Sequence, residues 1–479
     1  MPTLDNTQKK TLLKNPVDAY ERLHPQGEHL KNIIELVQLQ EQLKSQLKAH
    51  EIEKRQLSRK IGAAKKQKHD ASALIQEMQS QSESVKTFQS ELKQIETQII
   101  SFFEYDLTTP DSAIVPTTVE KRNYADDKFL DINDITIFQL AWDSTEIINS
   151  WNTYVENNPS CSIYHRSEWR DIIKSSFGHE SFYFYASDTH DKIRGVLPVT
   201  RLKSKLFGDF MVSIPYFNYG GAIADSAAIE QKLIQTVNDF AADMGVSHVE
   251  YRDDTQRIGM PVRDEKVCML LALPSDKQTL WESFTPKLRA QIKRPQRENV
   301  TTTVGDIELL DDYYNVFSRN MRDLGTPVYS KTFFENILNN KADACKIIIV
   351  RLNDKPVAAA FLIGHKNTLE IPWASTLKET NHLSINMLLY WEVLGYAIDK
   401  HYHYFDFGRS SKDAGTYRFK KQWGSIEKPL YWHYWLKDNN DLPELNPNNP
   451  KYKLMIALWK KLPLIITKLI GPAVVKNLP

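Results

Sequence analysis

Asp406 closes an aromatic run, Tyr404-Phe405-Asp406-Phe407, that continues through Gly408-Arg409-Ser410 and, a few residues on, into Tyr417-Arg418-Phe419-Lys420-Lys421-Gln422-Trp423-Gly424. A carboxylate at the end of a Phe-flanked strand is desolvated. Its pKa rises, and it becomes a base able to accept a proton from an amine. A turn cap paired with nearby Arg409 is the alternative role for Asp406. Arg409 and Arg418 carry guanidinium forks that bind phosphate oxygens bidentately, although surface ion pairs use the same residues. Ser410 belongs to the same turn and is grouped with them as substrate-binding. Trp373, Tyr390 and Tyr417 suit a groove for a sugar or an adenine, or equally a hydrophobic core. At Tyr219-Gly220-Gly221 the chain lacks Cβ atoms at two positions, which permits close approach of a ligand and also serves a plain turn. A basic cluster at Lys287, Arg289, Lys293, Arg294 and Arg297 suits an anionic partner such as tRNA or a lipid-linked phosphate, or a solvated helix face.

The elements that must position these residues form a repeated pattern. Phe182–Lys203 reads as two apolar runs around a polar turn, followed by a strand at Met211–Tyr219, a helix at Ala228–Met244 and a strand at His248–Arg252. Lys346–His365, Leu369–Ser375, Ser384–Lys400 and Tyr404–Gly408 repeat that order. Hairpin, strand, helix, strand, written twice, predicts a duplicated α+β unit.

The N-terminal part is different in kind. From Glu28 to Tyr105 there is no proline and a single glycine. Met78, Val85, Phe88, Leu92, Ile95, Ile99 and Phe102 lie at alternating three- and four-residue spacings with one gap at Gln81, the seam of a coiled coil. Leu30, Ile33, Leu36, Leu39, Leu43, Leu47, Leu57 and Ile61 form a looser stripe before the polar break Gln67-Lys68-His69-Asp70. This predicts an antiparallel helical hairpin with arms on the order of 55 Å at 1.5 Å per residue. Its distal turns collect Lys54, Arg55, Arg59, Lys60, Lys65, Lys66 and Lys68 without an intervening acid. The boundaries that follow are an N-terminal segment 1–27, an arm 28–106, a Pro- and Thr-containing linker 107–130, a first repeat 131–300, a second repeat 301–436 and a tail 437–479.

Bulk properties narrow the function classes. With 61 basic against 60 acidic residues, no global field marks a nucleic-acid binder, so such a role must rest on a local patch. Cys161, Cys268 and Cys345 are isolated and lack metal-type spacing, so no metal is expected and a reducing cytoplasm is. No stretch reaches the ~20 apolar residues needed to span a bilayer. The tail from Tyr452 mixes Leu, Ile and Trp459 with Lys460, Lys461, Lys468 and Lys476. It suits the inner face of a membrane as a peripheral contact, or packing back onto the core.

The stretch from Asp406 to Gly424 resembles the signature of the FemAB family, acyltransferases of the GNAT superfold that move an aminoacyl group from charged tRNA onto a cell-envelope precursor. Asn315–Tyr329, Leu288–Gln296, Tyr216–Ala222 and Trp373–Tyr390 resemble FemAB-related proteins of exosortase (PEP-CTERM) and exopolysaccharide systems, over about residues 131–479. The resemblance implies tandem GNAT-like repeats, with Lys420 as an active-site cation beside the transition state. Arg59-Lys60-Ile61-Gly62-Ala63-Ala64-Lys65, followed by Asp70 and Leu74, is similar to the tRNA-binding arm of seryl-tRNA synthetase. That implies tRNA as a partner and serine as the amino acid carried; a spacer or dimerising coil is the other reading of the same helices. CoA-dependent relatives carry a glycine-rich pyrophosphate turn after the fourth strand, whereas Thr376–Ser384 contains no glycine. The expected donor is therefore aminoacyl-tRNA ahead of acyl-CoA, with no bound cofactor, and the acceptor an amine on an envelope or exopolysaccharide precursor. A non-catalytic scaffold is the third class.

Overall fold

The computed structural model describes residues 30–66, 71–106, 131–205, 207–257, 259–341, 344–412, 414–437, 442–443 and 450–478. They fall into two units, divided at Thr117/Thr118. The segments 1–27 and 107–130 of the sequence reading lie outside the described residues, as does Lys68.

The first unit is a pair of helices, α1 (Leu30–Lys66) and α2 (Ser72–Asp106). Gln40 Nε2 donates to Glu96 Oε1 at 3.3 Å, and His50 Nδ1 meets Gln81 Oε1 at 2.6 Å. Partners descend one helix as they climb the other, so the pair is antiparallel. Leu43, Leu57, Ile61, Ala71, Val85 and Ile95 are buried along the seam. Leu39 is exposed and Gln40 takes its place inside, so the looser stripe is off register there: the Gln40–Glu96 bond satisfies a polar side chain at the seam. Arg55 and Lys60 are exposed and Lys54 half-buried. The side chains of Arg59, Lys65 and Lys66 lie outside the described residues.

The second unit holds two mixed sheets, and its α+β duplication is plain in the strand orders. The first runs β1-β2-β3-β4-β6-β15-β7 and the second β9-β10-β11-β12-β13-β8-β14. In the first, β1 (Thr136–Gln139) is followed by α3 (Thr145–Asn157) and α4 (Trp169–Phe177), the hairpin β2 (Glu180–Ser187) and β3 (Ile193–Ser204), β4 (Gly208–Val212), the short β5 (Ile223–Ala224), α5 (Ala227–Asp243) and β6 (His248–Asp253). Next come β7 (Val262–Arg263), β8 (Lys266–Ala272), α6 (Lys277–Ser283) and α7 (Pro286–Lys293). The second repeat supplies β9 (Val300–Gly305), α8 (Leu310–Leu324), α9 (Lys331–Lys341), β10 (Cys345–Leu352), β11 (Lys355–His365), β12 (Thr368–Thr376), α10 (Ile385–Asp399), β13 (Tyr404–Ser411), α11 (Gly415–Lys421), β14 (Ile426–Pro429) and β15 (Tyr431–Leu436). Two helices close the chain, α12 (Pro450–Trp459) and α13 (Leu464–Val475).

The sheets do not respect the boundary at 300/301. β8, from the first segment, pairs with β13 and β14 in the second sheet, and β15, from the second segment, pairs with β6 and β7 in the first. Each repeat completes the other.

Within each sheet a single parallel pair marks the centre. β4 pairs with β6 only at Met211↔Val249 and Val212↔Glu250, and β12 with β13 only from Thr368↔Tyr404 to Glu370↔Asp406. Beyond those points the strands part into a wedge. The strand expected over Met211–Tyr219 therefore stops at Val212. Ile214 and Tyr216 take positive φ of 59° and 75°, which a continuous strand does not allow. The turn expected at Gly408-Arg409-Ser410 is instead bulged strand: β13 runs on to Ser411 with a register shift against β8 between Asp406 and Arg409.

Candidate active site between the two repeats

In the first repeat the chain fills its own wedge. Gly220 N and Gly221 N both donate to Arg252 O, at 3.1 and 3.0 Å. Arg252 N donates to Ser213 Oγ at 2.8 Å, and its guanidinium donates to Phe217 O at 2.6 Å and to Glu250 Oε1 at 2.8 Å. A Cβ at residue 221 would lie 1.8 Å from Asp253 Oδ1, so glycine is needed there for contact with the chain itself. In the second wedge, the Gly408 and Arg409 carbonyls accept from Lys420 Nζ at 2.9 and 2.8 Å, and Gly408 N donates to Asp406 Oδ1 at 2.7 Å.

A cavity of about 320 Å³ opens where the β12–β13 pair faces the first repeat; Tyr164, Tyr219, Glu370, Asp406, Asp254 and Lys428 contribute its polar wall. Glu370 and Asp406 are register partners on adjacent strands. Each is capped by a tyrosine from the other repeat: Tyr164 donates to Glu370 Oε2 at 2.6 Å, and Tyr219 donates to Asp406 Oδ2 at 2.8 Å.

The tyrosines are held in place. Trp151 Nε1 donates to His165 O at 2.7 Å and Trp169 Nε1 to Ile163 O at 2.8 Å, fixing the 3₁₀ turn that carries Tyr164; its ring stacks on Phe217 at 4.1 Å. His165 accepts from Ser162 N at Nδ1 (3.1 Å) and donates from Nε2 to Gly221 O (2.9 Å), tying that turn to the glycine pair. Lys366, in the β11–β12 turn, donates to Val155 O and Asn158 O at 2.9 and 2.6 Å, which fastens the second repeat to the end of α3.

Burial pushes the Glu370 carboxyl up to about 8, with the charge of Asp406 adding to the effect. Its Oε1 is buried with no hydrogen bond, while Tyr164, Lys420 and the Asn218 side chain pull the carboxyl the other way. Burial raises Asp406 as well, but the Gly408 amide, the Tyr219 hydroxyl and the ammonium groups of Lys420 and Lys428 oppose it. Of two adjoining carboxyls, the one with more hydrogen-bond donors and cations around it ionises first. Asp406 therefore carries the charge and Glu370 the proton. Burial lowers Lys420, against the pull of Cys268 and Asp406. Desolvation pulls the partly exposed Lys428 down, but its 2.7 Å pair with Asp254 holds it up, and it lies 5.1 Å above the Tyr219 ring. Burial and the adjoining carboxyls raise Tyr164 and Tyr219, so both hydroxyls remain donors. Burial and Lys366 push His365 down to about 3, so this cavity-lining ring is neutral.

Of the residues picked out from sequence, Asp406, Tyr219 and Gly220 line the cavity, and Lys420 lies directly beneath, on the carbonyls that follow Asp406. The others lie elsewhere. Arg409 sits over the Trp432 ring at 5.0 Å, and the Ser410 hydroxyl is buried without a hydrogen bond. Trp373 packs among Phe217, Phe333, Phe334 and Phe361, while Tyr390 stacks on Phe407 against Phe419 and Trp423. On α11, Tyr417 bonds to Glu427 and Lys421, and Arg418 is exposed. On α7 and its C-cap, Arg289 is half-buried, Lys293 lies 5.2 Å over Trp281, and Arg294 is exposed. Glu370, Tyr164 and Lys428 were not anticipated. Glu370 had a signal, an acid inside the apolar strand Leu369-Glu370-Ile371; Tyr164 had none, its partner being 206 residues away. Among the described residues no His, Cys, Asp and Glu cluster could hold a metal ion.

The family described as "Acetyltransferase (GNAT) domain" matches residues 284–421, and that described as "Seryl-tRNA synthetase N-terminal domain" matches residues 9–104. No curated protein sequence matches the chain significantly. Among solved structures it is similar to FemX (13% identity, TM-score 0.49, over 67% of this chain and 100% of that one). It is also similar to L-PGS from Bacillus licheniformis (14%, 0.39, over 64% and 97%) and to a tandem GNAT protein from the clavulanic acid biosynthesis pathway (8%, 0.42, over 64% and 100%). The chain thus carries a GNAT domain within a tandem pair of repeats, after an N-terminal stretch of the seryl-tRNA synthetase type, and it is an acyltransferase.

Proposed function

We propose that this FemAB-like enzyme transfers an aminoacyl group, serine by the affinity of its arm, from aminoacyl-tRNA to an amine on a cell-envelope or exopolysaccharide precursor. The observation that carries the reading is the union, on one chain, of a stretch of the seryl-tRNA synthetase N-terminal type with an acyltransferase domain. The donor ester is already activated, so the protein has to align it, remove a proton and stabilise the oxyanion.

The cavity holds groups suited to the proton transfers. Asp406 is the proton acceptor for the incoming amine. Glu370, protonated with its second oxygen held by Tyr164, is the donor to the departing ribose oxygen. A C–N bond forms, the ester C–O bond breaks, and one proton passes to Asp406 while one leaves Glu370. Lys420 is a positioning residue, holding the β13 carbonyls and keeping positive charge near Asp406. The exposed cations of the arm, Arg55 and Lys60, with Lys54 beside them, contact the tRNA.

Sequencing the RNA that co-purifies with the full chain, together with a transfer assay using seryl-tRNA and an amine acceptor, tests the proposal. Enrichment of serine tRNA with serine-dependent product is the expected result. RNA-free protein that consumes acetyl-CoA instead would overturn it.

A further inference from the structure

The C-terminal helices present an apolar face that no other described residue of the second unit covers. α13 does not hang free as a tail: Thr467, Gly471 and Val475 are buried, and a Cβ on Gly471 would come within 2.9 Å of Val328. His179 Nε2 and the Tyr216 hydroxyl both donate to Lys476 O at 2.7 Å. The opposite face points away from these contacts. Ile465 is 81% exposed and Leu469 77%, and on α12 Met455 and Leu458 are 59% and 58% exposed. Leu324, at the end of α8, extends the patch: the adjoining Gly325 packs against Ile456. Exposed apolar surface this concentrated marks an interaction site.

The charge around it selects the partner. From Pro450 to Pro479 there are six lysines and no acidic residue, and Lys460 and Lys461 are exposed in the turn between the two helices. A pure protein interface carries no such bias, whereas an anionic bilayer meets apolar side chains with its acyl region and lysines with its headgroups. The helices are 10 and 12 residues long, about 15–18 Å at 1.5 Å per residue against a hydrocarbon core of about 30 Å. Among the described residues no helix is long and apolar enough to cross a membrane.

We infer that the outer face of α12 and α13 docks this enzyme flat on an anionic lipid surface, with Met455, Leu458, Ile465 and Leu469 inserted and Lys460 and Lys461 at the headgroups. This inference stands apart from the identity of donor and acceptor.

Co-sedimentation of the full chain with phosphatidylcholine vesicles, with and without 30% phosphatidylglycerol, tests it, alongside light scattering without lipid. Wild type binds the anionic vesicles and not the neutral ones. Ile465→Ser with Leu469→Ser, both outward-facing, lowers binding about 100-fold without moving the melting temperature, and Lys460→Ala with Lys461→Ala lowers it about 5-fold per charge removed. Absence of binding to anionic vesicles, or binding indifferent to the Ser pair, overturns the inference. So does a dimer that the Ser pair converts to monomer, because a second copy then covers the face.

Discussion

Glu370 lies in an apolar strand beside Asp406, and its environment makes it a proton store up to about pH 8. The sign of the resulting pH dependence is fixed. An unfolded glutamic acid titrates near 4.3, so between about pH 4.5 and 8 the native chain holds a proton that the unfolded chain has released. Stability therefore falls as pH rises through that window. Glu370→Gln, neutral at every pH, should flatten the decline in melting temperature between pH 5 and 8 by a few degrees; calorimetry across that range decides, and an unchanged slope would contradict the assignment. Lys420 makes a second residue-scale case. The resemblance implies an active-site cation there, and in the structure its ammonium satisfies two backbone carbonyls at a bulge. Lys420→Ala leaves those buried oxygens unpaired, at about 1–3 kcal/mol each. Urea denaturation should show a clear loss of stability beside any loss of transfer, and an unmoved midpoint would place Lys420 outside the structural frame.

At the scale of elements, the order hairpin, strand, helix, strand was readable twice because each piece carries its own period, 2 for strands and 3.6 for helices. β12, α5 and α10 fall within a residue or two of where the pattern puts them. The places where the reading failed share a cause. Whether Tyr216-Phe217-Asn218-Tyr219 is strand or loop depends on two positive φ angles and on Arg252, 35 residues on, holding Phe217 O. Local composition does not encode that partner. The same is true of β8 and β15: as short apolar runs they reveal that they are strands, not which sheet takes them. The cavity inherits this blindness, since each carboxyl comes from one repeat and each tyrosine from the other. Asp406 was visible because an aromatic frame announces it, and Glu370 was visible in principle. Their caps became apparent only once the chain was folded.

At the scale of the whole molecule, overall charge near neutrality leaves any affinity for RNA to local patches, of which the arm offers one, where Arg55 and Lys60 are exposed and Lys54 half-buried. Replacing all three with Glu should weaken tRNA binding and lessen its salt dependence by about one unit of slope for each phosphate that is no longer neutralised, with helicity by circular dichroism unchanged. If these variants bind tRNA as wild type does and only the mass in light scattering changes, the helices are a spacer or an oligomerisation device.

The exchange of β8 and β15 also has a consequence for synthesis. The ribosome delivers β6 long before β15, its neighbour in the sheet, and His248 must wait for Leu436. The first repeat thus emerges with an open edge that persists until nearly the whole chain has been made. Pairings so distant in sequence slow folding and leave strand edges open to aggregation. A nascent chain stalled between β6 and Tyr431 exposes that edge, so the two repeats mature as one body at the end of translation rather than one after the other.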